Sequence, residues 1–264
     1  MMVVNEVKKI RINHRVMGTR KLYEKLQPFV LEHQIKLGRD ALFDCLAKHK
    51  LLVRKRKRKI STTMSYHRFH KWKNLIKGLS ITSPNQLYVS DITYWKQNEI
   101  LVYVSFITDA YSHKIVGYQA AQTLEAVESK IALEMALGTL SREQKSNLIH
   151  HSDRGVQYCS TEYVKLLQDN DIKISMTESS EPTDNAIAER VNGILKDEYL
   201  RFCEIENFLE AKQCLKRAID LYNQDRPHMS IGNLTPEYVH KTGIQTEKLW
   251  KSYPYNQRKE KMEA

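Results

Sequence analysis

Hydrophobic and polar positions follow two different periods along the 264-residue chain, and the period changes near residue 85. Before that point apolar residues recur every three or four positions, which predicts helices. One helix is predicted in "TRKLYEKLQPFVLEH" (19–33), interrupted by Pro28, and another in "GRDALFDCLAKHKLL" (38–52). Two amphipathic helices around a glycine-containing turn resemble a helix-turn-helix unit, although any small helical bundle produces the same pattern.

From residue 85 the apolar residues alternate with polar ones, which is typical of strands. "NQLYVSDITYW" (85–95) predicts one strand, and "ILVYVSFITDAYSHKIVGYQAA" predicts two more, over 100–108 and 114–121. Helical and strand patterns then alternate. Helices are predicted over 125–140, 161–171, 185–200 and 206–222, with short strands ending near 151 and 176. Three antiparallel strands followed by such alternation predict an α/β domain with a mixed central sheet.

Charge separates the same two parts of the chain. Residues 1–80 contain 21 Lys and Arg against 5 Asp and Glu, a net charge of +16, whereas residues 81–264 contain 21 against 26, a net charge of −5. Such asymmetry favours a polyanionic partner, above all nucleic acid, for the first third; a solvated basic face is the plainer alternative. The block "RKRKRK" predicts an arm that binds DNA phosphates through Arg54, Lys55, Arg56, Lys57, Arg58 and Lys59.

Composition also excludes several classes of protein. No apolar run approaches the roughly 18 residues of a membrane span, and residues 1–15 lack a signal-peptide pattern. The four cysteines are scattered without a CxxC pair, which argues for a reducing, cytoplasmic location and against structural zinc. They are Cys45, Cys159, Cys203 and Cys214.

Three acids stand out by their positions. Asp91 lies inside the first predicted strand, where a carboxylate is costly unless it is paired or bound to metal. Asp153 follows the fourth strand in "HHSDRG", and Glu189 lies in the first turn of a helix. Each acid alone is explained by a cap, a helix dipole or a neighbouring donor. Together they form an oxygen-only set suited to Mg²⁺ or Mn²⁺.

Four ordered motifs give these acids a common context: "DITY" at 91–94, "HSDRGVQY" at 151–158, "DNAIAER" at 184–190 and "LKDE" at 195–198. With the 35 residues between Asp153 and Glu189 and the ending "YNQDRPHMSIGNLTPEYV" (222–239), they resemble the DDE transposases of bacterial insertion sequences. The resemblance is to the orfB-type, IS-three-like group, whose catalytic core is similar to that of retroviral integrases.

The resemblance implies a ribonuclease-H-like core over 84–205, preceded by a small all-α basic DNA-binding region (1–53) and a basic linker (54–83), and followed by a helical extension (206–264). It implies a polynucleotidyl transferase whose Asp91, Asp153 and Glu189 bind two Mg²⁺ or Mn²⁺ ions. It also implies DNA partners at element ends and targets, a homo-oligomer on DNA, and an upstream-frame (orfA-type) product or fusion.

Several other polar residues have a functional interpretation, a structural one, or both. The resemblance makes Lys196 a contact to DNA near the cut end, against a solvated lysine. Asn185 supports the site or caps its helix, and Gly155 shapes the turn after Asp153. His150 and His151 touch DNA or shape their loop more readily than they bind metal. Asp109 is expected to cap its own turn, while Arg226 and His228 stabilise the C-terminal fold.

Two other functions remain open from the sequence. One is a DNA-binding regulator whose core is catalytically silent, in which case binding would fall steeply with salt. The other is a ribonuclease-H-like nuclease that acts on RNA–DNA hybrids or junctions with the same metal chemistry.

Overall fold

The fold is taken from a computed structural model that describes residues 2–53, 68–97, 99–178 and 185–249. The basic block from Arg54 to Lys59 lies outside these residues, so its DNA-binding role stays a prediction. The N-terminal part contains three helices, α1 (Met2–Asn13), α2 (Thr19–Glu32) and α3 (Arg39–Lys48). They pack around a small apolar cluster of their own.

Helix α2 does not break at Pro28, so the predicted interruption was wrong. Proline inside a helix costs about 3 kcal/mol because it removes one backbone hydrogen bond and crowds the preceding turn. Leu22, Leu26 and Val30 are buried on one face of α2, and burying each such side chain contributes about 1.5–3 kcal/mol. Their combined burial outweighs the cost of the proline, and the helix continues to Glu32.

The mixed sheet was predicted correctly. Its five strands are β1 (Leu87–Gln97), β2 (Ile100–Asp109), β3 (Ile115–Ala121), β4 (Ile149–Ser152) and β5 (Lys173–Met176), in the order β3-β2-β1-β4-β5. The first three strands pair antiparallel, while β4 pairs parallel with β1 and β5. β1 is therefore the central strand, and it is hydrogen-bonded on both edges.

Helices cover both faces of the sheet. Those between β3 and β5 are α4 (Ala126–Leu137), α5 (Arg142–Asn147), α6 (Val156–Cys159) and α7 (Thr161–Asp169); α4, α6 and α7 bury the face that carries Tyr88. The other face carries Leu87, Val89 and Asp91. It is covered by α8 (Ala186–Ile194) and α9 (Phe208–Gln224). Helix α8 packs on β1, and α9 packs on the apolar side chains of β2 and β3.

The chain stays helical beyond the end of α8, but the type of helix changes. It continues as a π-helical turn over Leu195–Tyr199 and a 3₁₀ turn over Leu200–Phe202, so the predicted helix over 185–200 is present but changes its geometry. Single π-helical turns inside helices occur frequently at functional sites. A further 3₁₀ turn (Met229–Ile231) and α10 (Pro236–Thr242) complete the described chain.

Several contacts attach the N-terminal helices to the rest of the chain, and Asp225 at the end of α9 makes two of them. Asp225 accepts a hydrogen bond of 2.6 Å from His14 Nε2, which follows α1, and pairs with Lys25 of α2. His14 Nδ1 also lies 3.0 Å from the hydroxyl of Tyr199. The bonds from His14 and Lys25 lower the pKa of Asp225 to about 2.

The spacing of the cysteines did not predict a disulfide, but Cys203 and Cys214 are bonded and join the segment before α9 to α9 itself. Cys45 and Cys159 are free thiols. In the described part of the chain, no helix has both the length and the apolar character needed to cross a membrane.

Candidate active site

Asp91 lies in the middle of the sheet on the face covered by α8. Its Oδ1 accepts a hydrogen bond of 2.9 Å from the backbone N–H of Ile92, and its Oδ2 accepts one of 2.7 Å from Asn192 Nδ2 on α8. Burial raises the pKa of this carboxyl to about 7, helped by the negative charges of Asp153 and Glu189. The three acids that the sequence singled out therefore act on one another electrostatically.

Asp153 is placed by the parallel pairing of β4 with β1. Because Ser90 pairs with Ser152, β4 ends beside the residue that precedes Asp91. The loop then turns back, and the N–H of Gly155 donates a hydrogen bond of 2.9 Å to Asp153 Oδ1. This bond holds the carboxylate at the carboxyl end of the strand, where α/β sheets commonly bind ligands.

Gly155 is needed at this turn for space and not for its backbone angle, since its φ of −63° suits any residue. A Cβ atom at this position would lie 2.9 Å from Asp153 Oδ1. The predicted supporting role therefore has a physical basis, because any side chain here displaces the carboxylate.

We expect Gly155→Ala to lower the strand-cleavage activity implied by the sequence resemblance about tenfold, as for the loss of an outer contact to a ligand side chain. Thermal unfolding should change little. Gly193→Ala is the matched control, since its Cβ would meet nothing within 4 Å. Unchanged cleavage by Gly155→Ala would show that Asp153 does not need this position.

Glu189 lies in the first turn of α8 and is exposed. The helix is anchored to the sheet by its other side, where Ala188, Val191 and Ile194 are buried. Within the described residues, no three His, Cys, Asp or Glu side chains are close enough together to form a finished metal-ligand group. The three acids thus lie in one region of the fold, but in this conformation they do not form a complete set of metal ligands.

Asn185 does not cap α8 with its side chain, so the helix-cap interpretation was wrong. Its Nδ2 instead donates a hydrogen bond of 2.9 Å to the backbone oxygen of Ser90. An amide used in this way cannot turn its oxygen toward the helix N-terminus. The contact ties the start of α8 to β1 one residue before Asp91, and the supporting role of Asn185 stays a prediction.

Asn192 was missed by the sequence analysis. It is buried, three residues after Glu189, and its Nδ2 binds Asp91. The spacing of three residues places Glu189 and Asn192 on one side of the helix, which is the sequence feature that could have indicated Asn192. The spacing alone does not identify Asp91 as its partner, because a buried asparagine can form hydrogen bonds with many groups.

Removing the amide in Asn192→Ala should lower strand cleavage about 10–100-fold, the usual range for an outer residue that orients a ligand side chain. Because the Asn192 hydrogen bond lowers the pKa of Asp91, the acid limb of the pH–rate profile should also move to higher pH. Gln168→Ala, an exposed amide on α7, is the control. A loss of activity without any movement of the pH profile would contradict an orienting role.

Lys196 lies on the same side of α8 and its π-helical continuation as Asn192. Its Nζ donates a hydrogen bond of 3.2 Å to Thr93 Oγ1 and lies 4.6 Å from the centre of the Tyr94 ring. The side chain is therefore held against β1 and is not simply a solvated lysine. Its contact with DNA stays a prediction.

His150 and His151 are buried in β4, and both imidazoles form hydrogen bonds with hydroxyl groups. His150 Nε2 lies 2.7 Å from Ser90 Oγ and 2.9 Å from the Tyr163 hydroxyl, and burial lowers its pKa to about 3. His151 Nδ1 lies 2.8 Å from Ser175 Oγ. Both histidines are thus held inside the sheet and not in the loop that follows it, and the supporting role of His151 stays a prediction.

The remaining polar residues also have structural partners. Asp109 accepts a 2.8 Å hydrogen bond from the backbone of Ser112, as expected for an acid that caps its own turn. Arg226 is fully buried and binds both carboxylate oxygens of Glu198 at 2.8 Å. His228 is buried beside His113, and the two rings stack at 4.6 Å. These contacts stabilise the C-terminal fold.

Comparisons with known proteins agree with this arrangement. Two families described as "Integrase core domain" match residues 81–182 and 170–236. The insertion element IS600 uncharacterized 31 kDa protein of Shigella sonnei is 33% identical over 232 residues, which cover 86% of this chain and 85% of the relative. The transposase for insertion sequence element IS629 of Shigella sonnei is 30% identical over 229 residues, 87% of this chain and 75% of the relative.

Among solved structures, the fold is similar to a chain of the simian T-cell lymphotropic virus intasome in complex with PP2A regulatory subunit B56 gamma. The TM-score is 0.51 at 17% identity, with 90% of this chain and 75% of that chain covered, so the likeness concerns the fold alone. The assignment to a family rests on the sequence relatives and the matching family models. The chain belongs to the DDE transposases of bacterial insertion sequences, in the IS-three-like group with an integrase-type core.

Proposed function

We propose that Asp91, Asp153 and Glu189 are the metal-binding carboxylates with which this transposase cleaves and joins DNA strands. As a polynucleotidyl transferase of the DDE type, the chain acts in DNA transposition. The observation that supports the proposed site is the convergence of the three acids. They come from the central strand, the loop after β4 and the first turn of α8, and Asp153 and Glu189 both raise the pKa of Asp91.

The residues fit a hard divalent cation. Their donors are carboxylate oxygens only, which suit Mg²⁺ or Mn²⁺. Burial, followed by the negative charges of Asp153 and Glu189, raises the pKa of Asp91, and a bound cation would offset these effects. When bound, one or two such ions would activate a water molecule or a 3′-hydroxyl and stabilise the leaving oxygen at a phosphodiester. No serine or tyrosine nucleophile is needed.

The chain's own groups orient these acids and the DNA. Asn192 holds Asp91 from α8, and the N–H of Gly155 holds Asp153. Asn185 fixes the start of α8 on β1, which sets the position of Glu189 four residues later. Lys196 lies over Tyr94 at the same helix face, where its charge would bind a phosphate of the strand near the cut.

The partners follow from the charge distribution and the family. The basic first third, including the block at 54–59, would bind the element ends, and the three acids would receive the strand to be cut. Two element ends must be brought together for joining, so we propose a homo-oligomer on DNA. We also propose that an upstream-frame (orfA-type) product, separate or fused, contributes to recognition of the ends.

Incubating the purified chain with a labelled duplex of its element's terminal repeat and Mn²⁺ tests this function. The expected products are a strand cut at the element end and a strand joined to a second duplex. Binding without either product would favour a catalytically silent regulator. Cleavage confined to RNA–DNA hybrids would favour a nuclease.

Binding of the metal should depend on pH in a defined direction. Because the folded-state pKa of Asp91 is raised to about 7 and metal binding requires the deprotonated carboxylate, Mn²⁺ affinity should rise as the pH approaches 7 and level off above it. Titration calorimetry in buffers of different ionisation enthalpy would detect the released proton. A Mn²⁺ affinity independent of pH across that range would contradict the role of Asp91.

A further inference from the structure

Two consecutive residues of β1, close to the candidate site, hold one cation. Tyr94 is three residues after Asp91 and is 59% exposed. Its ring contacts the side chain of Lys196, whose Nζ lies 4.6 Å from the ring centre. The hydroxyl of Thr93, the preceding residue, accepts a hydrogen bond of 3.2 Å from the same Nζ. The ammonium group is therefore held both by a ring and by a hydroxyl.

These two contacts place the ammonium at an edge of β1. Successive side chains of a strand point to opposite faces, so Thr93 lies on the Asp91 face and Tyr94 lies on the other. A group that touches both side chains lies beside the strand and not above it. The edge toward β2 is paired as far as Gln97, whereas the pairing with β4 ends at Ser90. The ammonium therefore lies at the β4 edge, which no described strand covers beyond Ser90.

The same edge leads to the acids. Asp153 directly follows β4, which ends beside Ser90, so the loop of this acid begins where the open edge begins. Asp91 and Thr93 are two residues apart on one face, which separates their side chains by about 7 Å. Each nucleotide of duplex DNA adds about 3.4 Å along the axis. A duplex whose scissile phosphate is held by the acids would therefore bring another phosphate to the ammonium within about three nucleotides.

Holding the ammonium in advance favours such a contact. A lysine side chain has a flexible four-carbon stem, and fixing it on a ligand costs conformational entropy. A side chain that is already fixed in the bound position avoids much of that cost. Aromatic rings attract cations that lie over their faces within about 6 Å of the centre. The ring of Tyr94 and the hydroxyl of Thr93 together restrict the end of Lys196 in this way.

We infer that Thr93 and Tyr94 are positioning residues, which hold the Lys196 ammonium at the open edge of β1 where it binds one DNA phosphate close to the cut. The inference rests on the proposed function, because the acids must hold the scissile phosphate for the neighbouring one to reach the ammonium. In this role Thr93 and Tyr94 act through Lys196 and do not contact the reacting atoms.

Single uncharged phosphates in the DNA test this inference. The probe is a duplex of the element's terminal repeat in which each phosphate near the cut is replaced in turn by a methylphosphonate, which lacks the negative charge. At one position within about three nucleotides of the cut, the native chain should lose affinity about tenfold, the effect of one hydrogen bond between charged groups. Lys196→Ala should bind this modified duplex and the unmodified one equally well.

The positioning variants should reduce the affinity loss at that phosphate although the lysine is still present. Tyr94→Leu should reduce it from about tenfold to about threefold, the size of an exposed cation–π contact. The double variant Thr93→Val with Tyr94→Leu should reduce it to less than about twofold. Tyr94→Phe keeps the ring and should retain the full loss. Tyr238→Leu is the matched control, since Tyr238 is a tyrosine of α10 with a similar exposure of 49%.

Two results would overturn the inference. One is that no phosphate gives an affinity loss that Lys196→Ala removes, and the other is that Tyr94→Leu retains the full loss. If Tyr94→Leu weakens DNA binding as much in the Lys196→Ala chain as in the native chain, the ring contacts DNA directly and the positioning role is wrong. Because Tyr94 is exposed, leucine at this position leaves the apolar core intact.

Failure of this inference can be told apart from failure of the proposed function. If Glu189→Gln still cleaves, the proposed acids are wrong whatever the modified duplexes show. If Glu189→Gln is inactive and the affinity loss does not depend on Tyr94, only the positioning role is wrong.

Discussion

Replacing Asp153 by asparagine is expected to abolish strand cleavage and strand joining while DNA binding stays nearly unchanged. The substitution keeps the size of the side chain and its acceptor for the Gly155 N–H, but it removes one negative charge from the proposed metal site. Metal ions contribute several kcal/mol of transition-state stabilisation at such sites, so the rate should fall at least about 1,000-fold.

The measurement compares cleaved and joined products in Mg²⁺ with DNA affinity at one fixed salt concentration, because affinity depends steeply on salt. Asp169→Asn is the control, an exposed acid on α7 that lies away from the site. Full strand-transfer activity of Asp153→Asn in Mg²⁺ would show that the three acids were wrongly assigned.

Arg226→Met should have the largest effect on stability. Arg226 is 1% exposed, and it binds both oxygens of Glu198 at 2.8 Å. Burial alone would raise the pKa of Glu198, but the guanidinium outweighs it and lowers that pKa to about 2. Removing the guanidinium leaves the half-buried Glu198 with the longer 3.7 Å ion pair to Lys21. Breaking a buried ion pair costs up to about 3–5 kcal/mol, a large part of the stability of an ordinary domain, and Lys21 should keep the loss at the lower end of that range.

Urea unfolding at neutral pH would measure this loss, with Arg217→Met on the neighbouring helix α9 as the control. Arg217 makes one exposed hydrogen bond, to Asn13, so its replacement should have little effect. The double variant Arg226→Met with Glu198→Leu removes both charges and should be more stable than Arg226→Met alone. A double variant as unstable as the single one would mean that the charge pair is not the cause.

The longer strands and helices of the core were predictable because they follow a clear local period, whereas the short helices α5 and α6 were not predicted. The two strands predicted over 100–108 and 114–121 end within one residue of β2 and β3. The predicted interruption of α2 failed for a physical reason: a local signal, Pro28, was outweighed by the burial of apolar side chains that only tertiary packing supplies. The disulfide between Cys203 and Cys214 was hidden for the same kind of reason, since it depends on how α9 packs.

The candidate site shows a similar limit. The three acids could be proposed from sequence because their spacing matches a family, and in the structure Asp153 and Glu189 lie close enough to Asp91 to raise its pKa. The partners of the acids could not be found in this way. Asn192 and Asp91 are separated by 101 positions, and their contact depends on how far α8 is shifted along β1, which no local pattern encodes.

The attachment of α1 and α2 to the end of α9 has a consequence for the DNA. His14 and Lys25 both bind Asp225, so the N-terminal helices have a set direction and distance from Asp91. If those helices contact the element end as proposed, the fixed distance within the protein sets the number of base pairs between the recognised sequence and the cut. Inserting half a helical turn of DNA between them should then stop cleavage, although every base that the protein contacts is still present.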